Sequence, residues 1–297
     1  MEPEQKLNPV IVGCGYLGRT LSQILVDQQQ PVPIGVVRSR ENLQRLSMAG
    51  ITPKKHDLDQ PNDALIDSVD RDIYYFAPPG STDDQDHRIE HFLKNCRTHL
   101  PRRLVYVSTS GVYGDCDGAW VEETRTPAPI TTRAKRRLDA EQKLVQFCRQ
   151  FNCEYMILRV GGIYGSERLP IKRLQEIRVV CPEEAPFSNR IHIEDLANIC
   201  DVAMHSKVKN ETFNVADGHP SSMTDYFYQI ADLSGLPRPE CVPMSEAREK
   251  LSPGMFSFIN ESRRLSIAKM QSLLAVKLRF PTLKSGLEDC FKKLHAK

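Results

Sequence analysis

Three glycines, Gly13, Gly15 and Gly18, follow the apolar run Val10-Ile11-Val12 and form the pattern G-x-G-x-x-G, after which Thr20 to Val26 continue with helical spacing. Strand, glycine turn, then helix is the context in which this pattern binds a dinucleotide. Gly13 permits the tight turn, Gly15 lets a pyrophosphate meet the backbone, and Gly18 lets the helix pack close to the strand. Tyr16 and Leu17 open that helix, whose exposed N–H groups favour an anion. A second apolar run, Gly35-Val36-Val37, ends in Arg38-Ser39-Arg40. At that position an NAD-selective site carries a carboxylate for the ribose 2′-hydroxyl, whereas a guanidinium favours a 2′-phosphate, with the Ser39 hydroxyl as an added donor. The expected cofactor is NADP, with NAD as the second option. The competing reading makes Arg38 and Arg40 solvated loop charges.

The elements that must carry this turn are legible as rhythm. Pro9 to Val12, Pro33 to Val37, Ile73 to Phe76, Leu104 to Val107 and Tyr155 to Leu158 are uninterrupted apolar runs, as buried parallel strands require. Between them, Ile89, Phe92, Leu93, Cys96 and Leu100 share one helical face, as do Leu138, Leu144, Val145 and Cys148. The alternation predicts an α/β fold, a Rossmann doubly wound parallel sheet. Beyond Gly165 it loosens into helical patterns near Ile193 to His205 and Met223 to Ser234, a strand Thr212 to Val215, and two C-terminal helical stretches. The division expected is a dinucleotide-binding domain over residues 1–165, then the end of the sheet with a small substrate lobe over 166–297. No linker makes that lobe independent.

Composition narrows the function classes. The 297 residues include 40 basic and 38 acidic side chains, a formal charge of +2, too balanced to drive nucleic-acid or lipid binding by charge alone. No run approaches transmembrane length, and Met1 to Pro9 are too polar for a signal-peptide core. Nine cysteines, with no Cys-x-x-Cys pair, argue for reduced thiols, against a disulfide framework or zinc site, and for a cytoplasmic protein.

With these residues in hand, the chain resembles the extended short-chain dehydrogenase/reductases, the NAD(P)-dependent epimerase/dehydratase family, over nearly its whole length. Asp57-Leu58 is similar to the family's adenine-contacting pair, and Phe76-Ala77-Pro78-Pro79-Gly80 to the loop lying along the cofactor. Val107 to Gly114 resembles the fifth-strand signature ending in V-Y-G, which places the family's catalytic Ser/Thr at Thr109. Arg159 to Gly165, Arg190 to Asp195 and Phe213 to Val215 resemble later segments of the family in the same order.

The family's catalytic Y-x-x-x-K aligns with Thr131-Thr132-Arg133-Ala134-Lys135. Lys135 is kept for the nicotinamide ribose, but Thr131 replaces the tyrosine, and a threonine hydroxyl is far too weak an acid to replace a phenol. The glycine turn, the proline-rich loop and this degraded motif resemble the shorter, atypical YeeZ-like branch. Residues four apart on a helix share a face, so Thr131 and Lys135 are expected to point together at the cofactor. Plainer roles stay open: Thr109 satisfying backbone groups, Lys135 as a solvated charge, His192 as a structural residue. The resemblance implies an NADP-dependent oxidoreductase or epimerase-like enzyme acting on a small carbonyl, alcohol or sugar-derived molecule, with room for a homodimer; the sequence clusters no ligand set, so no metal is expected. The alternative is a non-catalytic NADP-binding sensor.

Overall fold

The computed structural model describes residues 7–60, 67–80 and 83–296; residues 1–6 of the polar opening stretch therefore lie outside the described residues. The chain forms a Rossmann α/β fold. Its central sheet has seven strands: β1 (Val10–Val12), β2 (Ile34–Val37), β3 (Thr52–Lys55), β4 (Asp72–Tyr75), β5 (Arg103–Thr109), then Glu154–Val160 and Glu211–Val215. From one edge the order is β3, β2, β1, β4, β5, Glu154–Val160, Glu211–Val215. The pairs from β3 through β5 are parallel, with Val10 opposite Ile34 on one side and Ile73 on the other.

Alternation along β1 splits its side chains between two faces. Val10 and Val12 join a core with Tyr75, with Phe92 and Leu93 of α3 (His87–Cys96), and with Leu144 and Phe147 of α4 (Thr132–Phe151). Ile11 faces the other way, under α1 (Tyr16–Asp27), where a Cβ added to Gly18 would stand 3.0 Å from Ile11 Cγ2. Gly18 is thus a packing requirement. The edge strand β3 reads Thr-Pro-Lys-Lys with every residue exposed, and proline and lysine are residues that keep a sheet edge from pairing further. It carries no apolar run, and only the family resemblance, which sets Asp57-Leu58 after a third strand, points to it.

The residues fall into two compact units: Met1–Val112 with Thr132–Arg159 and Leu196–Phe213, and Tyr113–Thr131 with Val160–Asp195 and Asn214–Lys297. In the first, Arg159 pairs with Glu141 at 2.8 Å, both side chains more than nine-tenths buried, and Ser108 donates to the same carboxylate at 2.5 Å. In the second, Tyr164, Leu174, Tyr226, Ile230, Leu287 and Phe291 form one core, and Val180, Val242, Ala247, Leu251 and Ile259 another. Its helices Met223–Ser234 and Leu283–His295 each begin with a capping box, Ser222 with Asp225 and Thr282 with Ser285.

The thiol expectation is corrected in one respect. Cys181, the residue after the strand Arg178–Val180, and Cys241, within its parallel partner Glu240–Val242, are joined in a disulfide with Cα atoms 4.8 Å apart. They stand 60 residues apart, so only pairing of the two strands brings them together. The other seven cysteines are buried and free. Among the described residues no helix is long and apolar enough to cross a membrane.

Candidate cofactor site

The glycine turn has the geometry its sequence requires. Gly13 adopts φ +78°, in the left-handed region, and a Cβ there would lie 2.5 Å from the backbone of Ala77. Only glycine fits both the conformation and the space. At Gly15 an added Cβ would meet nothing nearer than Gly13 O, at 3.9 Å, so its side is clear of protein atoms. No side chain caps α1, which begins at Tyr16 and has no acidic residue in its first turn. A helix start left uncapped beside a bare backbone suits a pyrophosphate. Cys14, between the two glycines, is buried, and burial pushes its thiol up to about 12; it packs under the turn and is no nucleophile.

Strand order places the remaining candidates on either side of this turn. Arg38 and Ser39 follow β2, and Asp57 and Leu58 follow β3, both on the far side of β1 from β4. Arg38 is well exposed and meets Asp59 at 2.9 Å. Ser39 is the N-cap of α2 (Arg40–Met48), its Oγ accepting from Asn42 N at 3.3 Å. Asp57 Oδ1 accepts from Asp59 N at 3.1 Å, and Leu58 is buried in the core. On the other side Ala77 is buried against Gly13, and Pro78 and Pro79 present carbonyls that accept from Arg88.

Among the expected catalytic residues, Thr109 ends β5 half-buried, and its Oγ1 accepts from Gly111 N at 3.2 Å. Lys135 matches the plainer of its two expected roles, a surface charge. Its ammonium lies 3.1 Å from Asp84, with both side chains about half exposed. Thr131 is the residue immediately before α4, and Lys135 lies in its first turn.

The cation that α4 turns toward the sheet is Arg137. Its Nη1 donates to Val107 O at 2.9 Å, Tyr106 Oη at 3.2 Å and Ala77 O at 3.4 Å. Arg137 closes the basic run Arg133 to Arg137, in which the sequence alone singles out Lys135. A usable signal was the spacing of four between Arg137 and Glu141, which puts both on the sheet-facing side of the helix.

Within the second unit, Arg190 is a buried guanidinium stacked 4.0 Å over the Tyr226 ring, and its Nε has no hydrogen-bond partner among the described residues. Burial pushes Asp217 up to about 6, and its Oδ2 has no such partner either. Tyr113 donates its hydroxyl to Asn214 Oδ1 at 2.7 Å. His192 is buried between Tyr164 and Phe280, with Cys290 Sγ 3.5 Å from Nε2, and burial lowers it to about 4, so it is neutral at pH 7. Among the described residues no three His, Cys, Asp or Glu side chains are grouped to hold a metal.

Comparison with known proteins bears on the family and the fold. Residues 13–206 match a family described as NAD(P)H-binding. Protein YeeZ of Escherichia coli K12 is 24% identical over 263 residues, covering 85% of this chain and 91% of its own length. A UDP-glucose 4-epimerase of Halalkalibacterium halodurans is 21% identical, with 94% and 92% covered. Among solved structures, a conserved protein of unknown function from Silicibacter pomeroyi superposes with a TM-score of 0.83 at 29% identity, covering 96% of this chain and 98% of that one. The UDP-glucose 4-epimerase of Thermotoga maritima, solved with UDP-glucose, gives 0.75 at 17% identity, with 97% and 100% covered.

Proposed function

Since the chain belongs to the NAD(P)H-binding family, within the extended short-chain dehydrogenase/reductases, we propose that it holds NADP(H) on the Gly13 to Gly18 turn and acts as an oxidoreductase or epimerase-like enzyme. The substrate class is a small carbonyl, alcohol or sugar-derived molecule. The observation that carries this reading is the clear side of Gly15 beside the uncapped start of α1. Arg38 gives the site its preference for a 2′-phosphate, and Ala77, Pro78 and Pro79 flank the other half of the dinucleotide. The bound nicotinamide supplies hydride transfer. Thr109 offers its hydroxyl to a substrate oxygen, since the bond from Gly111 N occupies only a lone pair.

Two observations favour a second reading, a non-catalytic NADP-binding sensor. Thr131 stands in the acid's place, and the Tyr113 hydroxyl is committed to Asn214. Calorimetric titration with NADPH tests binding, and NADPH oxidation over a panel of aldehydes, ketones and nucleotide-sugar ketones tests turnover. Binding with turnover supports the enzyme, binding without turnover the sensor, and absence of binding removes both.

A further inference from the structure

We propose that Arg137, rather than Lys135, is the residue of α4 that holds the nicotinamide-side ribose of the bound dinucleotide, an inference that rests on the cofactor reading above. Observations in the first unit carry it. The acceptors of Arg137 Nη1 belong to Ala77, just beyond β4, and to Tyr106 and Val107 near the carboxyl end of β5. In open α/β sheets ligands lie at the carboxyl ends of the strands. Ala77 is also the residue against which Gly13 packs, so the guanidinium and the phosphate-binding turn share one wall.

Strand order then decides which half of the ligand Arg137 meets. With the pyrophosphate at the end of β1 and a 2′-phosphate at Arg38 after β2, the adenosine half extends toward β2 and β3. The other half extends over β4 and β5, where Arg137 lies. A guanidinium carries five N–H donors in a fixed fork. All three of its protein bonds use Nη1, and Nε and Nη2 have no hydrogen-bond partner among the described residues. Vicinal ribose hydroxyls are acceptors that such an edge can take as a pair. Lys135, two residues earlier, is turned about 200° around the helix and is held at the surface by Asp84.

The test compares NADPH with adenosine 2′,5′-bisphosphate, which lacks the nicotinamide half, by calorimetry on the full chain. Arg137→Lys keeps a cation but loses the fork. It should weaken NADPH about tenfold or more and leave the bisphosphate within twofold, whereas Lys135→Ala should leave both within twofold. Circular dichroism verifies that each variant is folded. The inference is overturned if Lys135→Ala weakens NADPH while Arg137→Lys does not, or if Arg137→Lys weakens both ligands equally, which would mean that it only shapes the turn through Ala77. Failure of the unmodified protein to bind either ligand would instead remove the cofactor reading itself, and this inference with it.

Discussion

Arg88 grips the carboxylate of Asp59 through two parallel hydrogen bonds, Nε to Oδ1 at 2.6 Å and Nη2 to Oδ2 at 2.8 Å. Arg38 reaches the same carboxylate by one contact, Nη1 to Oδ2 at 2.9 Å. The Arg88 bond, more than the charges of Arg88 and Arg38, holds Asp59 below the usual carboxylate range. With Asp59 neutralised from its other side, Arg38 can leave it for a phosphate at little cost, because an exposed ion pair contributes only about 0–1 kcal/mol.

The first prediction concerns that exchange. A charge-assisted contact to a 2′-phosphate contributes about 1.5–3 kcal/mol, so NADPH should bind roughly ten- to hundredfold more tightly than NADH. Arg38→Asp should reverse the order. Equal affinities of the unmodified protein for both cofactors, measured by calorimetry, would reduce Arg38 to a surface charge.

Two neighbouring glycines should fail in different ways. Gly15→Val meets no protein atom nearer to its Cβ than Gly13 O at 3.9 Å and should leave the fold intact while abolishing dinucleotide binding. Gly13→Ala places a Cβ 2.5 Å from the Ala77 backbone at φ +78° and should lower stability by about 1–3 kcal/mol or more. Thermal unfolding followed by circular dichroism, paired with titration, separates the two. A folded Gly15→Val protein that still binds would mean the turn is misassigned.

Stability of the first unit should depend on the buried pair Arg159 and Glu141. Removing one member leaves an uncompensated charge in the interior, so Arg159→Met should lower the unfolding free energy by about 3–5 kcal/mol in urea titrations. The double variant Arg159→Met with Glu141→Leu should lose less than the single one. A larger loss in the double variant would count against this account.

His192 should make stability fall in acid. Burial lowers its folded pKa from 6.5 to about 4, so the unfolded chain binds the extra proton first as pH drops. Its contribution is fully present above pH 6.5 and is lost progressively down to about pH 4, a difference of about 3 kcal/mol. Asp217 acts in the opposite sense: its folded pKa, raised from 3.8 to about 6 by burial, makes its contribution disappear as pH rises through that window. His192→Gln should therefore flatten the acid-side decline in unfolding free energy between pH 6.5 and 4, whereas an unchanged slope would assign that decline to other groups.

What the sequence disclosed, and what it withheld, follows from which interactions are local. The strand Val10–Val12 and the helices Ile193–His205 and Met223–Ser234 are written in apolar period, and the structure places them where that period predicts. The strand Thr52–Lys55 is held by backbone pairing at an edge, so its side chains carry no sign of it. In α4 the helical face was readable but its phase was not. The helix begins at Thr132, and the angle between Lys135 and Arg137 decides which cation meets the strand ends. The sites of the second unit, such as Arg190 over Tyr226, join residues 36 positions apart that no short motif connects.

The disulfide between Cys181 and Cys241 has a topological consequence for that second unit. It makes the chain between those residues a closed ring, so a protease that cuts once anywhere within 182–240 opens the ring without releasing a fragment. The nicked molecule keeps its full mass on a non-reducing gel and separates into two pieces only when thiol reductant is added. Because both ends of such a cut stay tethered, the broken chain retains the proximity of its strands, and backbone integrity and covalent integrity become separate properties of this part of the protein.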